Sequence, residues 1–359
     1  RLAYMFLPPL VGTRKLVGYS SLLYAIPMLG WFMAVQNPNT SYGVLLALAF
    51  ACGIGGGSFS GYMPSTGYFF PKRLQGTALG IQAGIGNLGM SVIQLVGPLL
   101  MGFGLFGMTW VAPQSGSSGS IYVHNAAIFF VPWTIVAAIL AFTLLKDVPV
   151  KANIRQQLDI FSNSNTWVMT AMYVMTFGIF SGFAAQFALI INQHYGKDSA
   201  FVGMEGLPAG ASYAFLGPLI GSLVRFAWGP LCDKFGGAIW TFVSLIGMGA
   251  TLAATTFFLH PTDPAQFPGF LWAMLAMFFF SGLGNAGTFK QMPMIMPKRQ
   301  AGGAIGFTAA IASLGPFIVG VAIASLGATA WYWISVAFCA LCAVICWIRY
   351  ARPGAPFPG

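Results

Sequence analysis

Apolar residues run through this chain in long blocks separated by short polar connections. That spacing predicts helices that cross a bilayer rather than the amphipathic helices of a soluble core. A hydrocarbon layer about 30 Å thick takes about 20 residues of helix. Ten blocks meet that length, near 16–36, 42–66, 75–104, 125–146, 167–191, 207–230, 238–259, 269–296, 300–325 and 328–348. Residues 1–11 (RLAYMFLPPLV) are apolar but too short to cross, and the chain opens on Arg1 rather than Met. The expectation is a chain that begins inside a helix, preceded in its parent by further membrane sequence.

Composition agrees. The chain is 57% hydrophobic and 6% charged with mean hydropathy +0.77, whereas soluble domains carry about 25% charged residues. The net charge of +10 does not indicate nucleic acid, because of where it falls. Twelve of the sixteen Lys and Arg lie in alternate connections or the tail: Arg14, Lys15, Lys72, Arg73, Lys146, Lys151, Arg155, Lys234, Lys298, Arg299, Arg349 and Arg352. The intervening connections hold Lys197 with His124, His194 and His260. This is the positive-inside pattern, and it places the C-terminus in the cytoplasm. Five cysteines give neither a disulfide nor a metal framework, and Cys339, Cys342 and Cys346 read as apolar packing on the last block.

Three cations remain, and they lie inside apolar blocks: Arg1, Arg225 and Lys290. All six carboxylates (Asp147, Asp159, Asp198, Glu205, Asp233, Asp263) fall in or beside polar connections. A guanidinium at membrane depth costs several kcal/mol and marks function, and Arg does not shed its proton. An anionic substrate is the simplest source of counter-charge for Arg1 and Arg225.

The chain also repeats itself. R-L-A-Y at 1–4 returns as R-F-A-W at 225–228, C-G-I-G-G-G-S-F at 52–59 as S-G-L-G-N-A-G-T-F at 281–289, F-P-K-R at 70–73 as M-P-K-R at 296–299, and Q-G-T-A-L-G-I at 75–81 as A-G-G-A-I-G-F at 301–307. The offsets of 224, 230, 226 and 226 keep order and spacing. Two parallel repeats related by an axis along the membrane normal are the organisation of the major facilitator superfamily. The expected fold is therefore all-α, two six-helix halves with pseudo-two-fold symmetry, of which about 10.5 of 12 helices are present. The expected division is 1–146 as an N-terminal half lacking helix 1 and part of helix 2, 147–166 as a cytoplasmic linker, and 167–359 as the C-terminal half with a short tail. Arg1 and Arg225 then lie roughly 12–17 Å deep at 1.5 Å per residue, one from each half, as a clamp.

The glycine-rich runs G-I-Q-A-G-I-G-N-L-G (80–89) and G-F-T-A-A-I-A-S-L-G (306–315), the two arginines, Y-V-M-T-F-G at 173–178 and G-P-L-I-G-S-L-V-R at 217–225 together resemble the nitrate/nitrite porter family of that superfamily. The resemblance implies transport of nitrate, nitrite or both by alternating access across a bacterial-type inner membrane, by a monomer without cofactors. It implies that Arg1 and Arg225 hold the oxyanion and that Phe59 and Phe289 sandwich it. Tyr173 would supply a hydroxyl near the site, with Phe177 one turn on, and Gly84 and Asn87 would belong to the signature helix beside the pocket. The chemistry agrees, since a planar guanidinium presents paired donors to a flat oxyanion. The bland readings are snorkelling for an arginine, packing for a phenylalanine among 33, an interhelical hydrogen bond for Asn87, and close helix approach for Gly84. Equivalence between the repeats favours the functional reading for the arginines and phenylalanines.

Departures from the pattern are visible. The second signature run lacks two of the glycines of the first, and Pro9 stands where G-P-L-C-D-K-F-G-G (229–237) has Asp233. Proton symport usually uses a titratable intramembrane group. The candidate is Lys290, roughly 9 Å inside its block, with burial and nearby guanidinium charge lowering its proton affinity. Snorkelling is the alternative for it. Nitrate/nitrite exchange needs no such group, and protons are a partner only under symport. The competing classes are a carrier of another small anion and a non-transporting nitrate sensor. No nucleophile–base pair, metal cluster or cofactor motif points to an enzyme.

Overall fold

The computed structural model of the chain describes residues 1–102, 114–116, 119–147 and 154–359. A 3-10 turn at Tyr4–Phe6 leads into a short helix, α1 (Leu7–Val11). Ten long apolar helices follow among the described residues: α2 (Thr13–Ala34), α3 (Tyr42–Phe69), α4 (Lys72–Met101), α5 (Asn125–Leu144), α6 (Ser164–His194), α7 (Gly210–Phe235), α8 (Gly237–Thr256), α9 (Pro264–Ile295), α10 (Lys298–Leu326) and α11 (Ala328–Ala351). Each apolar block of the sequence coincides with one of them. Helix ends depart from block ends by a few residues because hydropathy marks the hydrocarbon zone, while the backbone ladder continues into the polar layer. Thus α7 runs on through Asp233 and Lys234, and α10 begins on Lys298. Residues 103–104 of the 75–104 block, and 148–153 of the 147–166 connection with Lys151, lie outside the described residues. The all-α expectation holds apart from a small antiparallel pair, β1 (Gln114–Gly116) and β2 (Gly119–Ile121), with Ser115 opposite Ser120.

Local chemistry sets the bends that matter for the interior. Within α3 the helix breaks at Ser58, whose hydroxyl donates to the Gly55 carbonyl at 2.8 Å, so Phe59 opens a fresh helical segment. In α6 the residues Val174–Gly178 form a π-turn, a widening often found at functional sites. At the end of the bundle that carries the Lys/Arg connections, Gly12 joins α1 to α2 at φ +87° and Gly236 joins α7 to α8 at φ +89°. Glycine alone adopts that geometry cheaply, and the two turns are separated by 224 residues, like Arg1 and Arg225.

The most enclosed helices are α6 and α9, and the core between them is aromatic: Tyr173, Phe177, Phe180, Phe183, Phe278 and Phe289. Outward faces stay apolar, as at Phe50, Trp133 and Trp272, which is the surface a lipid-facing helix presents. Small residues bring α4 against α7. A Cβ on Gly80 would sit 3.0 Å from the Arg225 carbonyl oxygen, and one on Gly84 would sit 2.9 Å from that of Ser222. The stretch of α7 that carries Arg225 is therefore seated directly on the α4 backbone. In the other repeat Gly306 of α10 lies as closely against Met5 and Ser60.

Candidate functional site

Arg225 leaves the middle of α7 fully buried. Its Nη1 donates to the Tyr173 hydroxyl at 3.2 Å, while Nε and Nη2 meet no protein acceptor. Arg1 donates through Nη1 to the Ala309 carbonyl of α10 at 2.9 Å. Neither guanidinium forms an ion pair among the described residues. A buried guanidinium with two of its three nitrogens unmatched is costly to leave so, and the unmatched donors are what an oxyanion requires.

Four rings lie against the two cations. Phe59 and Phe177 stack at 5.9 Å and 9°, Tyr173 and Phe177 at 5.1 Å and 2°, Tyr173 and Phe289 at 4.4 Å and 19°, and Phe59 and Phe289 at 6.3 Å and 28°. Arg1 Cζ lies 5.2 Å from the Phe59 centroid and 5.9 Å from that of Phe177. Arg225 Cζ lies 4.8 Å from Phe289, 5.8 Å from Tyr173 and 5.9 Å from Phe59. Because both cations reach Phe59, their separation cannot exceed those two distances combined. Tyr173 caps the π-turn and Phe177 lies within it, four residues on, so both rings come from one face of α6. Each cation gains from the negative ring faces in this desolvated setting.

The expected residues thus divide. The structure brings Arg1, Arg225, Phe59, Phe289, Tyr173 and Phe177 into one cluster. Gly84 is not in it: its Cβ position faces Ser222 and Phe226, so it holds α4 against α7 and acts on the cluster through the position of Arg225. Asn87, one turn further, is buried with Nδ2 unpartnered. Lys290 departs from the expectation that its neighbours are guanidinium charges. Its Nζ meets Asp233 Oδ1 at 2.7 Å and donates to the Lys72 carbonyl at 2.7 Å. The reason lies in α7, whose last turn stays helical and carries Asp233 inward. That carboxylate also accepts from the backbone N–H groups of Gly76 and Thr77 at 2.8 and 2.7 Å and from Thr77 Oγ1 at 2.6 Å. It therefore sits on the N-terminus of α4, where helix polarity favours an anion. Sequence reasoning missed this pairing, although the asymmetry of Pro9 and Asp233 was its signal. A second carboxylate, Asp159, ties the connection before α6 to the start of α10, accepting from Arg299 and, at 3.0 Å, from Gln300 Nε2.

Below the ring cluster, towards the basic end, a cavity of about 570 Å³ is lined by Pro64, Tyr68, Lys72, Gln75, Pro293 and Lys298, among others. Pro64 and Pro293 stand five and four residues beyond Phe59 and Phe289 on the same two helices.

The sequence model of the Major Facilitator Superfamily matches residues 3–265. The chain is similar to the "Probable nitrate/nitrite antiporter NarK2" of Thermus thermophilus, with 53% identity over 368 residues covering 100% of this chain and 82% of that protein. It is 31% identical over 380 residues to the "Nitrate/nitrite transporter NarU" of Escherichia coli (strain K12), covering 98% of this chain and 80% of that one. Among solved structures it resembles the transporter FucP in the outward conformation, with TM-score 0.69 and 14% identity over 96% of this chain and 85% of that one. It also resembles the human organic anion transporter MFSD10, with TM-score 0.64 and 14% identity over 96% and 81% of the two chains. At those identities the structures bear on the fold alone.

Proposed function

The chain belongs to the nitrate/nitrite porter family of the major facilitator superfamily, and from that premise we propose that it exchanges nitrate for nitrite across a bacterial inner membrane. The observation that carries this reading is Arg225, fully buried, with Nε and Nη2 unpartnered, beside a stack of rings shared with a second arginine. The anion would lie between Arg1 and Arg225 and be walled by Phe59 and Phe289, with Tyr173 fixing the Arg225 fork.

The slot suits a flat ion. The rings of Phe59 and Phe289 lie within 28° of parallel with centroids 6.3 Å apart, and near-parallel faces match a flat anion better than a tetrahedral one. The residues before 147 and after 166 act as the two rocking halves, and the basic end faces the cytoplasm as the positive-inside rule requires.

Exchange follows from charge. The loaded site carries one net positive charge and the empty site two, so reorientation of the empty site exposes an uncompensated pair of guanidinium groups to a low dielectric. The loaded carrier crosses, while the empty one is held back. A second reading, proton-coupled nitrate uptake, draws on the buried Lys290–Asp233 pair.

The test uses the full-length protein in proteoliposomes, following labelled nitrate uptake with and without internal nitrite at two external pH values. Uptake that requires internal nitrite and ignores the proton gradient supports exchange. Uptake into an empty lumen driven by the proton gradient supports symport. Absence of nitrate uptake in either arrangement transfers the assignment to another small anion or to a sensor.

A further inference from the structure

Asn285 is a side chain that the transport reading leaves unused. It lies in the middle of α9, 1% exposed, and neither Nδ2 nor Oδ1 has a hydrogen-bond partner. A primary amide brings two donors and an acceptor, and leaving all of them unmatched in a dry interior is costly. In the repeat-related stretch the corresponding residue is Gly55, so only the C-terminal repeat carries the amide.

Its place on the helix is fixed by its neighbours. Phe278 and Gly282 touch Gly217 and Gly221 of α7, and Phe289 touches Arg225 of α7 and Tyr173 of α6. At about 100° per residue, Asn285 shares the arc of those residues, between the level of Gly221 and the level of Arg225. It lies at the side of the arc that leads towards Gly284, which meets Thr176 of α6 and Ser244 of α8. The opposite face of α9 is occupied by α8, since Gly287 lies against Thr241 and Gly237. Asn285 therefore faces the crevice between α6 and α7 in which Arg225 meets Tyr173. Arg225 itself is tied to that crevice through Nη1 to Tyr173 and through its Cζ over Phe289, and its Nε and Nη2 are buried without a partner.

We propose that Asn285 is a specificity-determining residue of the anion site, its amide N–H meeting the third oxygen that nitrate has and nitrite lacks. The inference rests on the nitrate/nitrite reading of the site. The two free nitrogens of Arg225 form one edge of a guanidinium and match two oxygens of either anion. For nitrate the remaining oxygen needs its own donor, and a site built to hydrogen-bond a group discriminates strongly against a ligand that lacks it. An amide serves better than a cation here, since it adds a donor without adding charge. Either end of the side chain can be presented by rotation about its last bond.

The experiment measures KM for external nitrate and for external nitrite, in exchange assays with the full-length protein and with Asn285→Leu and Asn285→Ser. The expected result is a rise of about tenfold in KM for nitrate with Asn285→Leu, the size of one hydrogen bond, while KM for nitrite changes by less than about twofold. Retained nitrite exchange is the control for folding. Asn285→Ser, which keeps a hydroxyl donor on a shorter arm, is expected to fall between the two. Equal shifts for both anions in either variant, or no shift in either, overturn the inference while leaving the transport reading intact. If the unmodified protein carries neither anion, the transport reading itself falls.

Discussion

Lys290 Nζ stands 2.7 Å from Asp233 Oδ1, and the same carboxylate accepts from the backbone N–H groups of Gly76 and Thr77 where α4 becomes α-helical. One acidic side chain thus fastens α7 and α9 to α4 at the basic end, and the pair is unequal. Removing Asp233 leaves a buried ammonium with only the Lys72 carbonyl, whereas removing Lys290 leaves a carboxylate still held by three donors. Breaking a buried pair so that an uncompensated charge remains costs about 3–5 kcal/mol. Asp233→Ala is expected to lower the midpoint of thermal unfolding in detergent well beyond Lys290→Met, which loses about 1 kcal/mol. The double variant should be less damaged than the sum of the two. Equal losses from the single variants would mean that the α4 contacts contribute nothing.

Gly84 and Gly86 are two residues apart in one signature run, and they are expected to respond oppositely to the same change. A Cβ at Gly84 meets Ser222 O at 2.9 Å and Phe226 at 3.0 Å, whereas one at Gly86 meets nothing within 4 Å. Gly84→Ala should push α4 from α7, cost about 1–3 kcal/mol by overpacking, and displace Arg225 enough to slow uptake. Gly86→Ala should be neutral, or stabilising by up to about 1 kcal/mol through helix propensity. Matched stabilities and uptake rates for the two alanine variants would show that α4 does not position Arg225.

These contrasts bear on how far the chain can be read before folding. Ten helices and the repeat were legible because membrane burial forces long apolar blocks, and because Arg1 and Arg225, like Phe59 and Phe289, recur in register. Gly84 was legible as a family position, but not which way its missing side chain faces, since helix rotation depends on α7. Lys290 was misread for the same reason. Its carboxylate lies 57 residues earlier on another helix, and hydropathy ended the α7 block before Asp233. Asn285 was visible in S-G-L-G-N-A-G-T-F, yet only its burial without a partner sets it apart from a packing residue.

A pH prediction comes from outside the membrane. Burial raises the Asp159 carboxyl, but hydrogen bonds from Gln300 and Arg299, with the charge of Arg299, outweigh it and hold the group below its ordinary value. A carboxyl depressed in the folded state contributes stability above its unfolded pKa of about 3.9, and that contribution is lost as pH falls through the lower folded value. The tie between the connection before α6 and α10 should therefore be insensitive to pH from about 5 to 8. The midpoint difference between the unmodified protein and Asp159→Asn should stay constant over that range and shrink only in stronger acid. A difference that changes between pH 6 and 8 would assign the titration to another group.

Arg225→Lys separates charge from shape. The substitution keeps a cation in the middle of α7 beside the rings, but an ammonium is a point charge that cannot present two parallel N–H groups to a planar oxyanion. It also gives up the planar group that lies 4.8 Å from the Phe289 centroid while it bonds Tyr173 at 3.2 Å. If the site worked as a positive hole alone, the variant would transport nearly as well as the parent. With recognition by the fork, one charge-assisted hydrogen bond is lost, worth about 1.5–3 kcal/mol, and KM for nitrate should rise roughly 10- to 100-fold. Because the lost bond serves nitrate and nitrite alike, both anions should suffer equally. That is the reverse of the expectation for Asn285, so the pair of variants distinguishes the group that holds the anion from the group that tells one anion from the other. Near-normal exchange by Arg225→Lys would remove the fork from the mechanism and leave electrostatic attraction as the sole basis of binding.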